Sequence, residues 1–219
     1  MIRFVLGIIG LAGILIALPL MLAGGSLYWA DTILTDEDGF MNSNTMEIEV
    51  DGFALVAGPA DIEDLPEIPD SPIALGEIAT LRIQAQNLDA DKGIFIGMAS
   101  TQTLDEYLGG VTYAVFDEIE DDEMFLSYRM NAPQDPLALP DEQPFWVQST
   151  SGMGLQELEW ELAEGDVSFV VMNDDASDGM AIEVVVGVRV PLIKPVGVGL
   201  LVGGGVALAL STLLLAIAL

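Results

Sequence analysis

Two short stretches of the sequence concentrate the oxygen ligands that bind hard cations. They are NLDADKG, which starts at residue 87, and NDDASDG, which starts at residue 173. Their candidate ligands are Asn87, Asp89 and Asp91 in the first stretch and Asp174, Asp175 and Asp178 in the second. Carboxylate and amide oxygens are the ligands that Ca²⁺ prefers, so both stretches are candidate calcium loops.

Both stretches depart from an EF-hand calcium loop, which needs a bidentate glutamate at its twelfth position. Counting from Asn87, that position holds Met98, and counting from Asp174 it holds Val185. Asn, Asp, Ser and Gly are also the residues that tight turns need, because they accept left-handed backbone or bond their own backbone. A hairpin turn between two strands is therefore the alternative at 173–179 and the favoured interpretation there.

The absence of histidine and cysteine excludes most catalytic chemistry. Without them no Ser-His-Asp or Cys-His nucleophile can form, and zinc, haem and iron–sulfur centres lose their usual ligands. The stretch STSGMG lacks the G-x-S-x-G order of a hydrolase nucleophile. Carboxylates are too numerous here for a pair of them to indicate a glycosidase. We predict a protein that is not an enzyme and has no cofactor, with Ca²⁺ as the one candidate ion.

Charge is distributed very unevenly along the chain. All 35 acidic residues and four of the six basic residues lie between positions 31 and 190, a net charge of −31. Such a region repels phosphate groups, which excludes nucleic acid as a partner. The densest run, DEIEDDE at 117–123, is interpreted as a solvated loop, with weak cation accumulation as the alternative. The Debye length is about 30 Å at 0.01 M ionic strength and about 8 Å at 0.15 M, so stability should fall at low salt.

The first of two apolar segments, residues 2–29, predicts a transmembrane helix. It has no charged residue from Phe4 to Leu27, and at about 1.5 Å per residue it can cross a hydrocarbon layer about 30 Å thick. Tyr28 and Trp29 follow, an aromatic pair typical of the membrane–water interface. A cleaved signal peptide is the alternative, but its apolar region is normally only about 7–15 residues long.

The second apolar segment, residues 195–219, is also uncharged and predicts a second transmembrane helix. Arg3 precedes the first helix and acidic residues follow it, so the positive-inside rule places the N-terminus in the cytoplasm. Two crossings return the chain there. We therefore predict a two-pass protein of the cell membrane, with both termini cytoplasmic, residues 31–190 extracytoplasmic and the lipid bilayer as a partner. Lys194 runs against the rule for the second helix alone and could reach the headgroups through its long side chain.

Small residues in the second helix predict close helix packing. Gly199 and Gly203 form a G-x-x-x-G pair, which lets helix backbones approach each other. The pairing could be internal, with Gly10 and Gly13 of the first helix, or it could join this chain to another copy or another membrane protein.

The acidic region has an all-β pattern. Short apolar and β-branched runs, separated by turn residues, predict strands near 45–50, 53–57, 79–86, 93–100, 111–116, 124–130, 145–150, 155–162, 167–172 and 181–190. In LQELEWEL at 155–162 the glutamates alternate with apolar residues, so one sheet face should be packed and the other wet. We predict a mainly β protein: an extracytoplasmic β-sandwich over 31–190, flanked by an N-terminal and a C-terminal transmembrane helix.

Three smaller features complete this pattern. TLDEYL at 103–108 predicts one short helix, with Thr101 or Thr103 as N-cap and two glycines as its end. Trp146 and Trp160 fall in predicted strands, where core packing is favoured over an exposed platform for sugars. The proline-rich stretches at 58–76 and 131–144 are interpreted as surface connections rather than recognition motifs.

Several blocks of this sequence occur together in one known group of proteins. They are DGFALV (51–56), GIFIGMASTQTLDEYLGGVTY (93–113), DEQPFWVQSTSGMGLQELEWEL (141–162) and GDVSFVVMNDDASDG (165–179). With them the chain resembles uncharacterised two-span membrane proteins of high-GC Gram-positive bacteria and their relatives. The resemblance implies an architecture in which an anchor helix is followed by a β-rich outer domain and a closing helix. It implies no activity and no functional residue.

Together these features predict a membrane-anchored envelope protein whose acidic outer β-sandwich acts as a scaffold or a protein-interaction module, through another protein or through self-association. One alternative is an extracytoplasmic module that binds Ca²⁺ or a glycan. Another is an accessory subunit of a membrane transport or respiratory complex, held by contacts between helices.

Overall fold

The computed structural model of the protein describes residues 2–58, 79–120, 123–130, 137–161 and 166–218. Most of the proline-rich stretch at 58–76, the first part of the one at 131–144 and the centre of the acidic run at 117–123 lie outside the described residues. The chain divides into two compact units. We call Met1–Met41 with Arg189–Leu219 the helical unit, and Asn42–Val188 the strand unit.

The described residues form three α-helices, one short 3-10 helix and eleven strands. The helices are α1 (Ile2–Leu34), α2 (Thr101–Leu108) and α3 (Ile193–Ala218), and the 3-10 helix is Pro140–Glu142. The strands are β1 (Met41–Asn42), β2 (Met46–Val50), β3 (Ala54–Ala57), β4 (Thr80–Asn87), β5 (Ile94–Ser100), β6 (Tyr113–Glu120), β7 (Glu123–Arg129), β8 (Gln148–Gly152), β9 (Gln156–Glu161), β10 (Val167–Asn173) and β11 (Met180–Arg189).

Both long helices of the helical unit are apolar along most of their length. Arg3–Leu34 has a mean hydropathy of 2.6 and Ile193–Ala218 one of 2.3, so each is long and apolar enough to cross a membrane. The helix α1 continues five residues beyond Trp29, where the predicted segment ended. In this extension the Thr32 hydroxyl donates to the backbone oxygen of Tyr28 at 2.8 Å, which satisfies a polar side chain within the helix.

The strands of the strand unit form two sheets. In the first, which we call the acidic sheet, the order is β1-β11-β4-β9, and β2 also pairs with β11. In the second, which we call the covered sheet, the order is β7-β6-β3-β10-β5-β8. In the covered sheet β10 runs antiparallel to both β3 and β5, whereas β3 and β6 run parallel.

The two sheets share one apolar core. Ile83 and Ile182 from the acidic sheet pack with Ile96 and Phe169 from the covered sheet, and all four are less than a tenth exposed. Alternation in β4 and β11 directs these side chains to one face and leaves the polar residues on the other. Burial of such a side chain contributes about 1.5–3 kcal/mol.

A second apolar core lies on the opposite face of the covered sheet. Phe95 and Val170 pack there beneath Leu104 and Leu108 of α2. Because this sheet is buried on both faces, its central strands are apolar almost without interruption, as in the run from Ile94 to Ala99.

Both tryptophans of the strand unit contact these cores, as predicted. The Trp160 ring meets Phe169 edge-on at 5.5 Å, and the Trp146 ring lies 4.9 Å from that of Phe95. The Trp146 indole donates to the backbone oxygen of Pro140 at 2.8 Å, which fixes the 3-10 helix over the second core. The space for this ring comes from Gly97, where a Cβ would lie 2.9 Å from the indole.

The predicted strands are found with shifted ends, and two local expectations were wrong. The strand expected at 145–150 begins only at Gln148, because the preceding aromatic residues turn inward onto the second core. The N-cap of α2 is Ser100, whose hydroxyl accepts from the backbone of Thr103 at 3.2 Å, rather than a threonine. The two-residue strand β1 is too short to carry an alternating pattern and was not predicted.

Candidate functional site

The two candidate calcium loops lie side by side in the strand unit. The loop after Asn87 connects β4 of the acidic sheet to β5 of the covered sheet. The loop after Asn173 connects β10 of the covered sheet to β11 of the acidic sheet. The expectation of a hairpin at 173–179 was therefore wrong, because the flanking strands belong to different sheets. Both loops are crossings between sheets, and the Asn87 amide donates to the Asn173 side-chain oxygen at 2.8 Å.

Asn173 is fully buried and holds its own loop closed. Its side-chain amide nitrogen donates to the backbone oxygens of Ser177 and Gly179, both at 3.1 Å, and to the Ser177 hydroxyl at 3.0 Å. With the bond from Asn87, both polar ends of this side chain are satisfied. A buried amide bonded in this way restricts the loop to one conformation.

A lysine supplies the positive charge beside these loops. The Lys92 ammonium donates to the Ser177 hydroxyl at 3.3 Å, and so links the loop after β4 to the loop after β10. The pKa of Asp175 lies below its ordinary value because Ser177 donates to its carboxylate, through its side chain and its backbone, and because Lys92 adds a positive charge nearby. The hydrogen bonds from Ser177 thus stabilise the charged form of Asp175 first, and Lys92 adds a smaller contribution.

The remaining predicted ligands serve local turns or face solvent. The carboxylate of Asp89 accepts from the backbone of Asp91 at 3.1 Å, which is an Asx turn. Asp174 packs against Gly93, where an added Cβ would lie 2.0 Å from its carboxylate and would force that side chain to shift. Asp178 is exposed. Within the described residues no group of three acidic side chains is arranged to hold a metal ion.

A cleft of about 330 Å³ opens beside the loop that follows β4. Its lining joins Asn87, Asp89 and Lys92 to Glu49, Val50, Asp51, Gly179, Met180 and Ala181. Three carboxylates, one ammonium and one amide suit a small ligand that carries a positive charge or both charges. Glu49 and Asp51 were missed in the sequence because they lie far from the loop along the chain. The antiparallel pairing of β2 with β11 brings them to it.

In the helical unit, α1 and α3 pack along a seam of small residues. A Cβ at Gly10 would lie 2.8 Å from the backbone oxygen of Ser211, and one at Gly24 would lie 2.7 Å from that of Gly197. Gly204 also lies close to α1, where its Cβ would be 3.1 Å from the backbone oxygen of Ala17. These backbones approach because no side chain separates them.

The two glycines predicted to pair helices are not part of this seam. An added Cβ at Gly199 or Gly203 meets nothing within 4 Å. Of the two alternatives left open for these glycines, the structure does not show the internal pairing with Gly10 and Gly13, although Gly13 does face α3. At about 100° per residue the seam positions 197, 204 and 211 recur on one face of α3, and positions 199 and 203 lie off that face. Pairing of Gly199 and Gly203 with another chain stays a prediction.

The basic residues next to α3 have partners within the helical unit. The Lys194 ammonium lies 3.4 Å from the carboxylate of Asp31. The Arg189 guanidinium lies 4.4 Å above the centre of the Phe40 ring and donates to the backbone oxygen of Asp38 at 3.4 Å. Both positive charges near the N-terminal end of α3 therefore have partners within this unit.

No protein-family model matches this chain, and no curated protein sequence matches it. The resemblance to two-span membrane proteins therefore stays a prediction, and the role of the chain has to be argued from its own geometry.

Proposed function

We propose that the protein is anchored in the cell membrane by α1 and α3 and presents the strand unit outside the cytoplasm as a non-enzymatic interaction or scaffold module. Both termini then lie in the cytoplasm. The observation that carries the proposal is the uneven charge of the units, since the helical unit holds only four of the 35 acidic residues, Asp31, Asp36, Glu37 and Asp38. The two long helices are almost free of charge, and all 35 acidic residues lie between Asp31 and Glu183.

The proposed fold of the module is a β-sandwich. Its support is the core that the acidic and covered sheets share, since residues of both sheets contribute to one buried cluster. Antiparallel pairs predominate in the registers of both sheets, as in sandwich domains.

The surface that fits a partner is the outer face of the acidic sheet. Its carboxylates alternate with core residues along three strands and are Glu47 and Glu49 on β2, Glu157, Glu159 and Glu161 on β9, and Glu183 on β11. Arg82 on β4 lies opposite Glu159 in the ladder but is buried, so it adds little positive charge to the exposed surface. We expect a partner with a complementary basic surface, since complementary potentials speed association and exclude like-charged partners.

The test is copurification of the full chain from native membranes in a mild detergent, followed by mass spectrometry. The test variant is the triple substitution Glu47→Gln, Glu49→Gln and Glu161→Gln, which removes three exposed charges from the proposed face. Its matched control removes three exposed charges elsewhere in the strand unit, through Glu106→Gln, Glu142→Gln and Asp178→Asn. A stoichiometric partner that is lost only with the first variant supports the interaction module.

The accessory-subunit alternative is favoured by one observation, the open positions at Gly199 and Gly203 on α3. If a partner is held there, Gly199→Leu with Gly203→Leu should release it while the variants of the acidic sheet retain it. Recovery of the chain without any partner, and without a second copy of itself, would contradict both proposals. The Ca²⁺-binding alternative predicts that Asp89→Ala with Asp91→Ala abolishes a rise in Tm caused by Ca²⁺.

A further inference from the structure

A second, smaller cavity lies under α2, apart from both candidate loops. It encloses about 80 Å³ between α2 and the strands β3, β6, β7 and β10. Its apolar wall includes Val56, Leu104 and Leu108, and its polar lining consists of Thr101, Asp105, Tyr113, Arg129 and Ser168. The interaction surface proposed above does not use this cavity.

One side of the cavity is formed by two hydroxyl groups whose hydrogen atoms are already engaged. Thr101 donates its hydroxyl hydrogen to the carboxylate of Asp166 at 2.6 Å. In the 2.8 Å contact between Thr101 and Ser168, Ser168 must therefore be the donor. Ser168 is fully buried and neither hydroxyl has a further hydrogen to give, so this side of the cavity offers a ligand no donor.

The other side carries one negative and one positive group. The Tyr113 hydroxyl donates to the carboxylate of Asp105 at 3.0 Å, so the tyrosine oxygen also remains as an acceptor. Burial and the carboxylate of Asp105 raise the pKa of Tyr113 to about 12, which keeps this hydroxyl protonated. Arg129 lies directly opposite Tyr113 in the β6–β7 ladder and supplies the donors.

The arrangement of these groups restricts the chemistry of a ligand. Acceptors at Tyr113 and Asp105 favour a ligand with at least two hydrogen-bond donors, and Arg129 favours one that also accepts. A carboxylate brings no donor, and an ammonium group would face the guanidinium. One acid and one base in the lining leave no net charge, so the ligand should be neutral.

Size narrows the choice further. Sites for drug-sized ligands have volumes of roughly 300–1,000 Å³, so this cavity takes only a few non-hydrogen atoms. Adjacent hydroxyl groups on two carbons meet both requirements, because each hydroxyl donates once and accepts once. We propose that the cavity under α2 binds a vicinal diol, either a small free polyol or the end of a glycan, between Asp105, Arg129 and Tyr113.

The experiment is saturation-transfer NMR on the full chain in an amine-oxide detergent, whose headgroup carries no diol. The probes are two isomers, propylene glycol with adjacent hydroxyls and trimethylene glycol with hydroxyls one carbon further apart. We expect saturation transfer to the first and little to the second. Equal saturation transfer to both isomers, or transfer to neither, would overturn the proposal. This test needs only the unsubstituted protein.

Variants then locate the site. Asp105→Asn and Arg129→Met should each weaken binding of propylene glycol by at least about tenfold, the effect of a lost bond to a charged group. The control is Glu106→Gln, on the exposed face of α2, where Glu106 accepts from Gln102 at 3.1 Å. Equal weakening by Asp105→Asn and Glu106→Gln would place the diol elsewhere. Glycerol and methyl glucoside distinguish the two sources of the diol. A site for a free polyol should bind glycerol and not the glucoside, whereas a site for the end of a glycan should bind both.

Discussion

Opposite kinds of contact stabilise the helical unit and the strand unit, each within itself. Along the seam between α1 and α3, contact depends on absent side chains, because a Cβ at Gly10 or Gly24 would lie 2.8 or 2.7 Å from a backbone oxygen of α3. In the strand unit the loops depend on a side chain that is present, the buried amide of Asn173. Adding atoms should therefore break the first unit, and removing them should break the second. The four predictions below test this contrast, from the largest expected effect to the smallest.

Gly10→Leu should separate the helices while the strand unit stays folded. Its Cβ would lie 2.8 Å from the backbone oxygen of Ser211, which cannot turn away as a side chain can. Overpacking of this kind costs about 1–3 kcal/mol in protein cores, and a rigid backbone partner puts it at the upper end. The reporter is a disulfide between Gly7→Cys and Ala218→Cys in the otherwise cysteine-free chain. A Cβ at Gly7 lies 3.6 Å from that of Ala218, within the disulfide range of about 3.5–4.5 Å.

The matched control is Gly203→Leu, which adds the same side chain where nothing lies within 4 Å. It should leave the yield of the disulfide unchanged. Equal loss of the disulfide in both variants would show that any leucine disturbs the helices, and the seam would then not be steric. Near-ultraviolet circular dichroism reports the strand unit, because Trp146 and Trp160 are packed there.

Asn173→Ala should give the next largest effect, in the strand unit. The substitution removes the donor to Ser177 and Gly179 and the acceptor for Asn87, and it leaves polar groups unsatisfied in a partly buried site. Each such group costs about 1–3 kcal/mol, so the free energy of unfolding should fall by about 3 kcal/mol. Chemical denaturation measures it, with Asp178→Ala as the control in the same loop. A loss no larger than that of the control would show that Asn173 does not hold the loop.

The sequence pattern predicted the elements well and their association less well. Alternation in LQELEWEL is a local property, and the structure confirms a strand there with glutamates on one face and Leu158 and Trp160 on the other. The meeting of the two loops depends on which sheet each flanking strand joins, and no local pattern encodes that. The helix seam could have been found from the recurrence of Gly197, Gly204 and Ser211 every seven residues. The G-x-x-x-G motif indicated Gly199 and Gly203 instead, which lie on a face of α3 where an added Cβ meets nothing within 4 Å.

Charge on the acidic sheet gives a smaller effect, which depends on salt. Glu47 lies directly opposite Glu183 across β2 and β11. Like charges in this position are destabilising, so Glu47→Gln should raise the free energy of unfolding by about 0.2–1 kcal/mol at low salt. At about 1 M salt, where the Debye length is about 3 Å, the gain should largely vanish. Glu49→Gln is the control, since Glu49 lies opposite Ala181. A gain that persists at high salt, or equals that of the control, would exclude repulsion as its cause.

The smallest effect concerns Asp175 and its dependence on pH. The pKa of this carboxyl lies below 3.8 in the folded protein, chiefly because Ser177 donates to it. A depressed folded pKa contributes stability above the unfolded pKa, and this stability is lost as the pH falls through the folded pKa. Asp175→Asn should therefore lower the free energy of unfolding at neutral pH, and the difference from the wild type should shrink once the pH drops below 3.8. Asp178→Asn makes the same change of charge three residues later. If the two variants lose stability equally at every pH, general repulsion rather than the bonds from Ser177 governs this loop, and the contrast between a sterically sealed unit and a hydrogen-bonded one would rest on Asn173 alone.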